Sequence, residues 1–195
     1  GRFNAIGRSL VSNIARRNGG EWQSLGTGVN GMVSCAAVYG GDLYVAGSFS
    51  KAGGIPVSNI ARWDGSSWMP VGVGLNGYVR CLSVHEGCLI AGGEFTAAGE
   101  LPVNGVARWD GENWFTLGSG MSGVYMSVNA ITTYKGELYA GGFFDHAGGV
   151  SVNNIARWNG TAWFALGAGV GNRVFGLTVF QDQLVAGGWF ESAGG

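Results

Sequence analysis

Five phenylalanines, Phe3, Phe49, Phe95, Phe144 and Phe190, stand 46, 46, 49 and 46 residues apart, each within a near-copy of the same surroundings. A repeat of this length marks an array of one supersecondary unit, in which each copy buries its apolar faces against its neighbours. The fold of the chain is therefore the fold of the unit, multiplied.

Inside the unit the apolar pattern has a period of two. "YVRCLSVHEG" (78–87) alternates apolar and polar residues up to a Gly turn, and "CLIAGGEF" (88–95) is a short apolar run, so the two read as a hairpin. "VNGVARWDG" (103–111) and "NWFTLGSG" (113–120) form a second hairpin around Asp110-Gly111, a pair that tolerates the positive φ of tight turns. Nothing between them has the length or the caps of a helix. The predicted class is all-β, a β-propeller of four-stranded antiparallel blades with about 46 residues per repeat. Blades cover one another on both sides, so the strand "ARW" can be apolar throughout, with Trp63, Trp109 and Trp158 filling the space between blades.

The order "V..L.V..G.L.AGG.F" followed by "N.ARW.G..W..LG.G" resembles kelch-type propeller repeats over essentially the whole chain. It looks closest to the divergent kelch-like arrays of large secreted or surface proteins of bacteria and of the fungal cortical polarity-marker family. The resemblance implies a fold and no particular activity. It implies that Gly92-Gly93, Gly141-Gly142 and Gly187-Gly188 are the family's double glycines, with Ala46-Gly47 as a departure, and that Trp22, Trp68, Trp114 and Trp163 are its outer-strand tryptophans. The turn between the paired aromatics is shorter here than in the commonest kelch unit.

Framed on inner strands that start near Val33, Val79, Val128 and Val174, residues 1–195 form a single propeller or propeller segment. Complete blades lie at about 32–74, 78–120 and 127–169, and one blade is split into 172–190 and 9–28. Its halves join within one chain to give four blades, or they join between chains or with further sequence to give a larger ring. Kelch-like rings usually resemble six to eight blades, and twice four is eight. The first eight residues, "GRFNAIGR", repeat the place of the last eight, "GWFESAGG", which favours a segment of a longer array or a subunit completed by another copy.

Charge narrows the partners. Only 12% of residues are charged, the net charge is −1 and no basic run occurs, which argues against nucleic acid and against an anionic membrane surface. No apolar stretch approaches the roughly 20 residues of a bilayer span, so no membrane insertion is predicted. The N-terminus lacks the apolar core of a signal peptide, and a removed or upstream signal stays open. Cys35, Cys81 and Cys88 have no metal-ligand spacing; Cys35 and Cys81 share a repeat position with Ala130 and Gly176, which suits a small buried side chain. His85 and His146 lie in different turns, and no spaced oxygen-ligand loop for calcium occurs, so no metal and no cofactor are predicted. Asn159-Gly160-Thr161 fits the N-glycosylation pattern within a turn the fold needs anyway.

Differences between copies locate a candidate site. The loops from second to third strand and from fourth to next first strand share one face, and they vary most: Asn4-Ala5, Ser50-Lys51, Thr96-Ala97, Asp145-His146 and Glu191-Ser192. The only insertion, three residues in "GMSGVYMS" (120–127), falls there too. Loops on a rigid scaffold concentrate binding residues, which nominates Lys51, Tyr125, Asp145, His146, Trp189 and Glu191 as ligand-binding; the plain alternative is unconstrained drift. Asp145-His146 is the only adjacent carboxylate and imidazole, but neighbours in a loop tend to point apart, and no catalytic residue is assigned. Arg16, Arg62, Arg108 and Arg157 invite comparison with sialidase propellers, whose turns are Asp-x-Gly whereas Asp64-Gly65 and Asp110-Gly111 are contiguous. These arginines are expected to bond backbone carbonyls or a carboxylate between blades.

The expected function is a non-enzymatic, extracellular or cell-surface scaffold or binding module, self-associating through its split blade, with an unidentified protein or glycan as partner. Unpaired strand edges would supply the route to a homo-oligomer; the other candidate partner is the remainder of a longer repeat array. The alternatives are a lectin-like carbohydrate binder, which requires several exposed aromatics on the variable face, and a fragment of a propeller hydrolase or oxidase, which requires a central cluster of titratable groups.

Overall fold

A computed structural model describes residues 3–6 and 9–194. Gly1, Arg2, Gly7, Arg8 and Gly195, which belong to the two terminal segments that repeat one another, lie outside the described residues. The described chain is all-β. After a short ribbon of Ala5–Ile6 with Ser9–Leu10 comes a hairpin of β1 (Ala15–Asn18) and β2 (Glu21–Ser24). The first four-stranded sheet follows as β3 (Met32–Tyr39), β4 (Asp42–Ser48), β5 (Ile60–Trp63) and β6 (Trp68–Pro70). The second contains β7 (Val79–His85), β8 (Cys88–Gly93), β9 (Val106–Trp109) and β10 (Trp114–Thr116), and the third β11 (Ser127–Tyr134), β12 (Glu137–Phe143), β13 (Ile155–Trp158) and β14 (Trp163–Ala165). A last hairpin joins β15 (Val174–Phe180) to β16 (Gln183–Gly188).

Each sheet is an antiparallel meander in chain order, and the registers repeat. In the first, Leu43↔Trp63, Tyr44↔Arg62, Val45↔Ala61 and Ala46↔Ile60 pair β4 with β5. All four inner strands carry the same bulge, between Val33 and Cys35, Val79 and Cys81, Val128 and Ala130, and Val174 and Gly176. The bulge explains the second glycine of each pair: a Cβ at Gly47, Gly93, Gly142 or Gly188 would collide with the backbone of the inner strand beside it.

Period two sends alternate residues of the middle strands to opposite neighbours. Val45 and Ala61 pack back onto Leu25 and Val29, which follow the first hairpin, while Tyr44, Ala46 and Ile60 pack forward onto Leu89, Ala107, Trp109 and Trp114 of the second sheet. Ile90 and Val106 pack forward in turn onto Leu138, Ala156 and Trp163 of the third. Ile155 and Leu166 meet Val174, Leu177 and Leu184 of the last hairpin. The sheets therefore stack face to face in sequence order, and the innermost strands run side by side, β3 with β7, β7 with β11 and β11 with β15.

The tryptophans hold the stack together. Trp63, Trp68, Trp109, Trp114 and Trp163 are buried. Trp68 Nε1 donates to the Leu25 carbonyl at 2.8 Å, Trp114 Nε1 to Val71 at 3.1 Å and Trp163 Nε1 to Leu117 at 2.8 Å, each across the join to the preceding repeat. The two end hairpins do not join: among the described residues β1 and β2 form one two-stranded sheet and β15 and β16 another. Of the two closures open to the sequence, pairing of the halves within one chain is not what the structure adopts.

Candidate functional site

The second-to-third connections are not plain loops. Each folds into a two-stranded ribbon: Lys51–Ala52 with Ile55–Pro56, Ala97–Ala98 with Leu101–Pro102, and His146–Ala147 with Val150–Ser151. The preceding connection bonds to each ribbon, through the bridge Val29↔Ala52 in the first repeat and through Met121–Ser122 in the third.

Asparagine side chains fix this face. Asn30 Oδ1 accepts from the amides of Ser50 at 2.9 Å and Lys51 at 2.8 Å while its Nδ2 donates to Ser50 Oγ at 3.0 Å. Asn76 repeats the clamp on Thr96 and Ala97. A second set, Asn13, Asn59 and Asn154, sits at φ 61, 62 and 61°, where Asn is tolerated better than most residues. Their Nδ2 groups donate to the Val29, Leu75 and Val170 carbonyls at 2.8, 2.8 and 2.9 Å. Beside them lie three related clefts: one of about 440 Å³ at Phe3 and Asn13, one of about 450 Å³ at Phe49 and Asn59, and one of about 240 Å³ at Phe144 and Asn154.

The second repeat departs from this pattern. Gly105, at φ 76°, replaces the asparagine, and a Cβ there would lie 2.5 Å from Met126 Sδ. Met126, at the end of the insertion, thus fills the space that an asparagine side chain takes elsewhere. The same insertion puts Val124 into the wall of the third cleft and leaves Tyr125 82% exposed at φ 67°. Gly105 and the insertion are two halves of one substitution, and their coincidence in a single repeat was the signal available in the sequence.

Of the six nominated residues, the structure gathers some and scatters others. Asp145 donates its amide to the Ser122 carbonyl at 3.1 Å and lines the third cleft with Val124, one residue from Tyr125. His146 Nδ1 lies 2.7 Å from Asp145 Oδ1, so the expectation that these neighbours point apart is corrected: the ribbon turns both side chains outward and together. Lys51 is exposed on the first ribbon, and Trp189 and Glu191 are exposed beyond β16, so these three belong to other repeats. Trp189 and Trp22 are the exposed tryptophans, and Trp158 is half-buried.

Arg62, Arg108 and Arg157 meet their partners within their own sheets, which corrects the expectation of a carboxylate between blades. Arg157 Nη1 lies 2.7 and 2.8 Å from the Glu137 carboxylate, and Arg62 Nε lies 3.4 Å from Asp42. Cys88 stands at the corresponding place before Arg108, whose guanidinium lies 4.9 Å from the Phe115 ring centroid. His85, read from the sequence as a turn residue, instead ends β7 and is buried with Nδ1 3.0 Å from Thr133 Oγ1 of the next sheet. Among the described residues, no three His, Cys, Asp or Glu side chains gather in a group that could hold a metal ion.

No family model matches the chain, and no curated protein matches it. Among solved structures it is similar to the crystal structure of the computationally designed Ika4 protein, with a TM-score of 0.54, 13% identity and 94% of each chain covered. It is also similar to the computationally designed Ika8 protein, with a TM-score of 0.49 and 14% identity over 80% of this chain and 42% of that one. At such identity the likeness to Ika4 bears on the fold alone.

Proposed function

We propose that the chain is a non-enzymatic β-propeller module, extracellular or at the cell surface, whose ribbon face is a binding surface on a rigid scaffold. The observation that carries this reading is the insertion at 124–126, which seats Met126 against Gly105, leaves Tyr125 exposed and lines a cleft with Val124 and Asp145, whose Oδ1 meets His146. An exposed ring and a hydrogen-bonded carboxylate–imidazole pair, on one face held by clamped backbone, make a small preorganised contact patch for a protein surface. A test compares partner capture by the parent chain with capture by Tyr125→Ala and His146→Ala. Partners held by the parent and lost from both variants, at unchanged melting temperature, support the reading; equal capture by all three overturns it.

A glycan is the second reading, favoured by the same ring, since an exposed tyrosine can stack on a sugar while Asp145 and His146 bond its hydroxyls. With five of eight tryptophans buried, stacking would depend on Tyr125 and Trp189. Binding on a glycan array that disappears with Tyr125→Ala supports it, and a blank array rejects it.

A further inference from the structure

We propose that two copies of this chain close one ring by exchanging half-blades, with β16 of each copy pairing antiparallel with β1 of the other in the register Leu184↔Arg17, Val185↔Arg16, Ala186↔Ala15 and Gly187↔Ile14. This rests on reading the sheets as propeller blades and names the partner as a second copy.

The register follows from the complete sheets. Their middle strands pair as Leu43↔Trp63 to Ala46↔Ile60, Leu89↔Trp109 to Gly92↔Val106, and Leu138↔Trp158 to Gly141↔Ile155. In the split unit the remaining pairings are already made. β15 and β16 carry the standard bulge, and Arg17↔Trp22 reproduces Trp63↔Trp68. Only the middle ladder is missing, and its two strands carry matching sequence. Gln183 occupies the place of Asp42 and Glu137, where its side-chain oxygen can accept from Arg16 as those carboxylates meet Arg62 and Arg157.

The surroundings fit an absent neighbour. Val185 is 42% exposed, whereas its repeat equivalents Tyr44, Ile90 and Tyr139 are 3, 1 and 7% exposed. A Cβ at Gly26, Gly72 or Gly118 would sit 3.3, 2.8 or 3.4 Å from the Trp63, Trp109 or Trp158 ring of the following sheet, while one at Gly167 would meet nothing within 4 Å. That open place is where the partner's third strand would bring Arg17. An arginine there also opposes indiscriminate edge pairing.

Copy number follows from closure. Three sheets and two halves make four blades per copy, the halves do not meet within the chain, and propellers typically have four to eight blades. Two copies give eight and leave no free edge; three would exceed the range.

Single variants Arg16→Cys and Val185→Cys, both at exposed positions, are mixed under mild oxidation, with Arg17→Cys and Leu184→Cys as a second pair. Adjacent antiparallel pairs alternate in hydrogen bonding, so one of the two has the closer geometry for a disulfide. The Cys35 thiol is pushed up to about 12 by burial, and burial raises Cys81 also, so these thiols stay protonated. The expected product is a covalent two-chain species from the mixture and not from either variant alone, with light scattering giving twice the chain mass. A double Arg16→Cys/Val185→Cys chain that closes on itself as a single-chain species overturns the exchange but keeps the propeller. A ladder of polymers overturns both, and no cross-link from either pair overturns the assembly.

Discussion

At the residue scale, the turns of the second hairpins show one role filled by two side chains. Asp64 Oδ1 accepts from the Ser66 and Ser67 amides at 2.7 Å each, and Asp110 Oδ1 from Glu112 and Asn113 at 2.8 Å each. Asn159 Oδ1 accepts from the Thr161 and Ala162 amides at 3.0 and 2.9 Å, filling the same role in the third turn. Hydrogen bonds to the charged form, led by the Ser67 amide at Asp64 and the Asn113 amide at Asp110, hold both carboxyls below their usual value. A lowered folded-state value contributes stability above the unfolded value of about 4, and that contribution is lost as pH falls through the folded one. Asp64→Asn with Asp110→Asn keeps the acceptors, as Asn159 does. Thermal melts of this variant should lie below the parent near pH 7, with the gap closing as the pH falls below about 4. The turn was legible in the residue pair; the Asp145–His146 contact was not, because ribbon geometry decides where neighbours point.

At the element scale, strands were legible because alternation and glycine punctuation repeat with the unit. The ribbons were not: two-residue strands carry no period, and what secures them is the preceding connection, through Asn30 and Asn76 in two ribbons and through Met121–Ser122 at His146–Ala147. The paired tryptophans of the second sheet divide by bonding. Trp114 Nε1 donates to Val71, whereas Trp109 Nε1 is buried without a hydrogen-bond partner. Replacing Trp114 by Phe leaves a buried carbonyl without its donor, while Trp109→Phe removes an unsatisfied N–H and so recovers part of its packing loss. Trp114→Phe should therefore be the more destabilising by about 1–2 kcal/mol, measured by denaturant unfolding of both variants.

At the scale of the whole molecule, both faces of the inner sheets are covered, whereas each end hairpin packs against a sheet on one side only. Phe175, Phe180 and Val185 stand exposed in the last hairpin. If assembly by half-blade exchange completes the unit, folding and association are linked, and the apparent melting temperature should rise with protein concentration. A melting temperature constant across a hundredfold dilution range that spans dissociation of the assembly would argue against that linkage.

The sequence by itself determined the four-stranded unit, its order, and the residues that must be small or aromatic, because these follow from local periodicity and recur in each copy. Tertiary structure alone decided that the split halves stand apart and that Met126 plugs the place of a missing asparagine. It also turned Asp145 and His146 toward each other. Those outcomes depend on how one repeat meets the next, and the spacing between copies does not encode that fit.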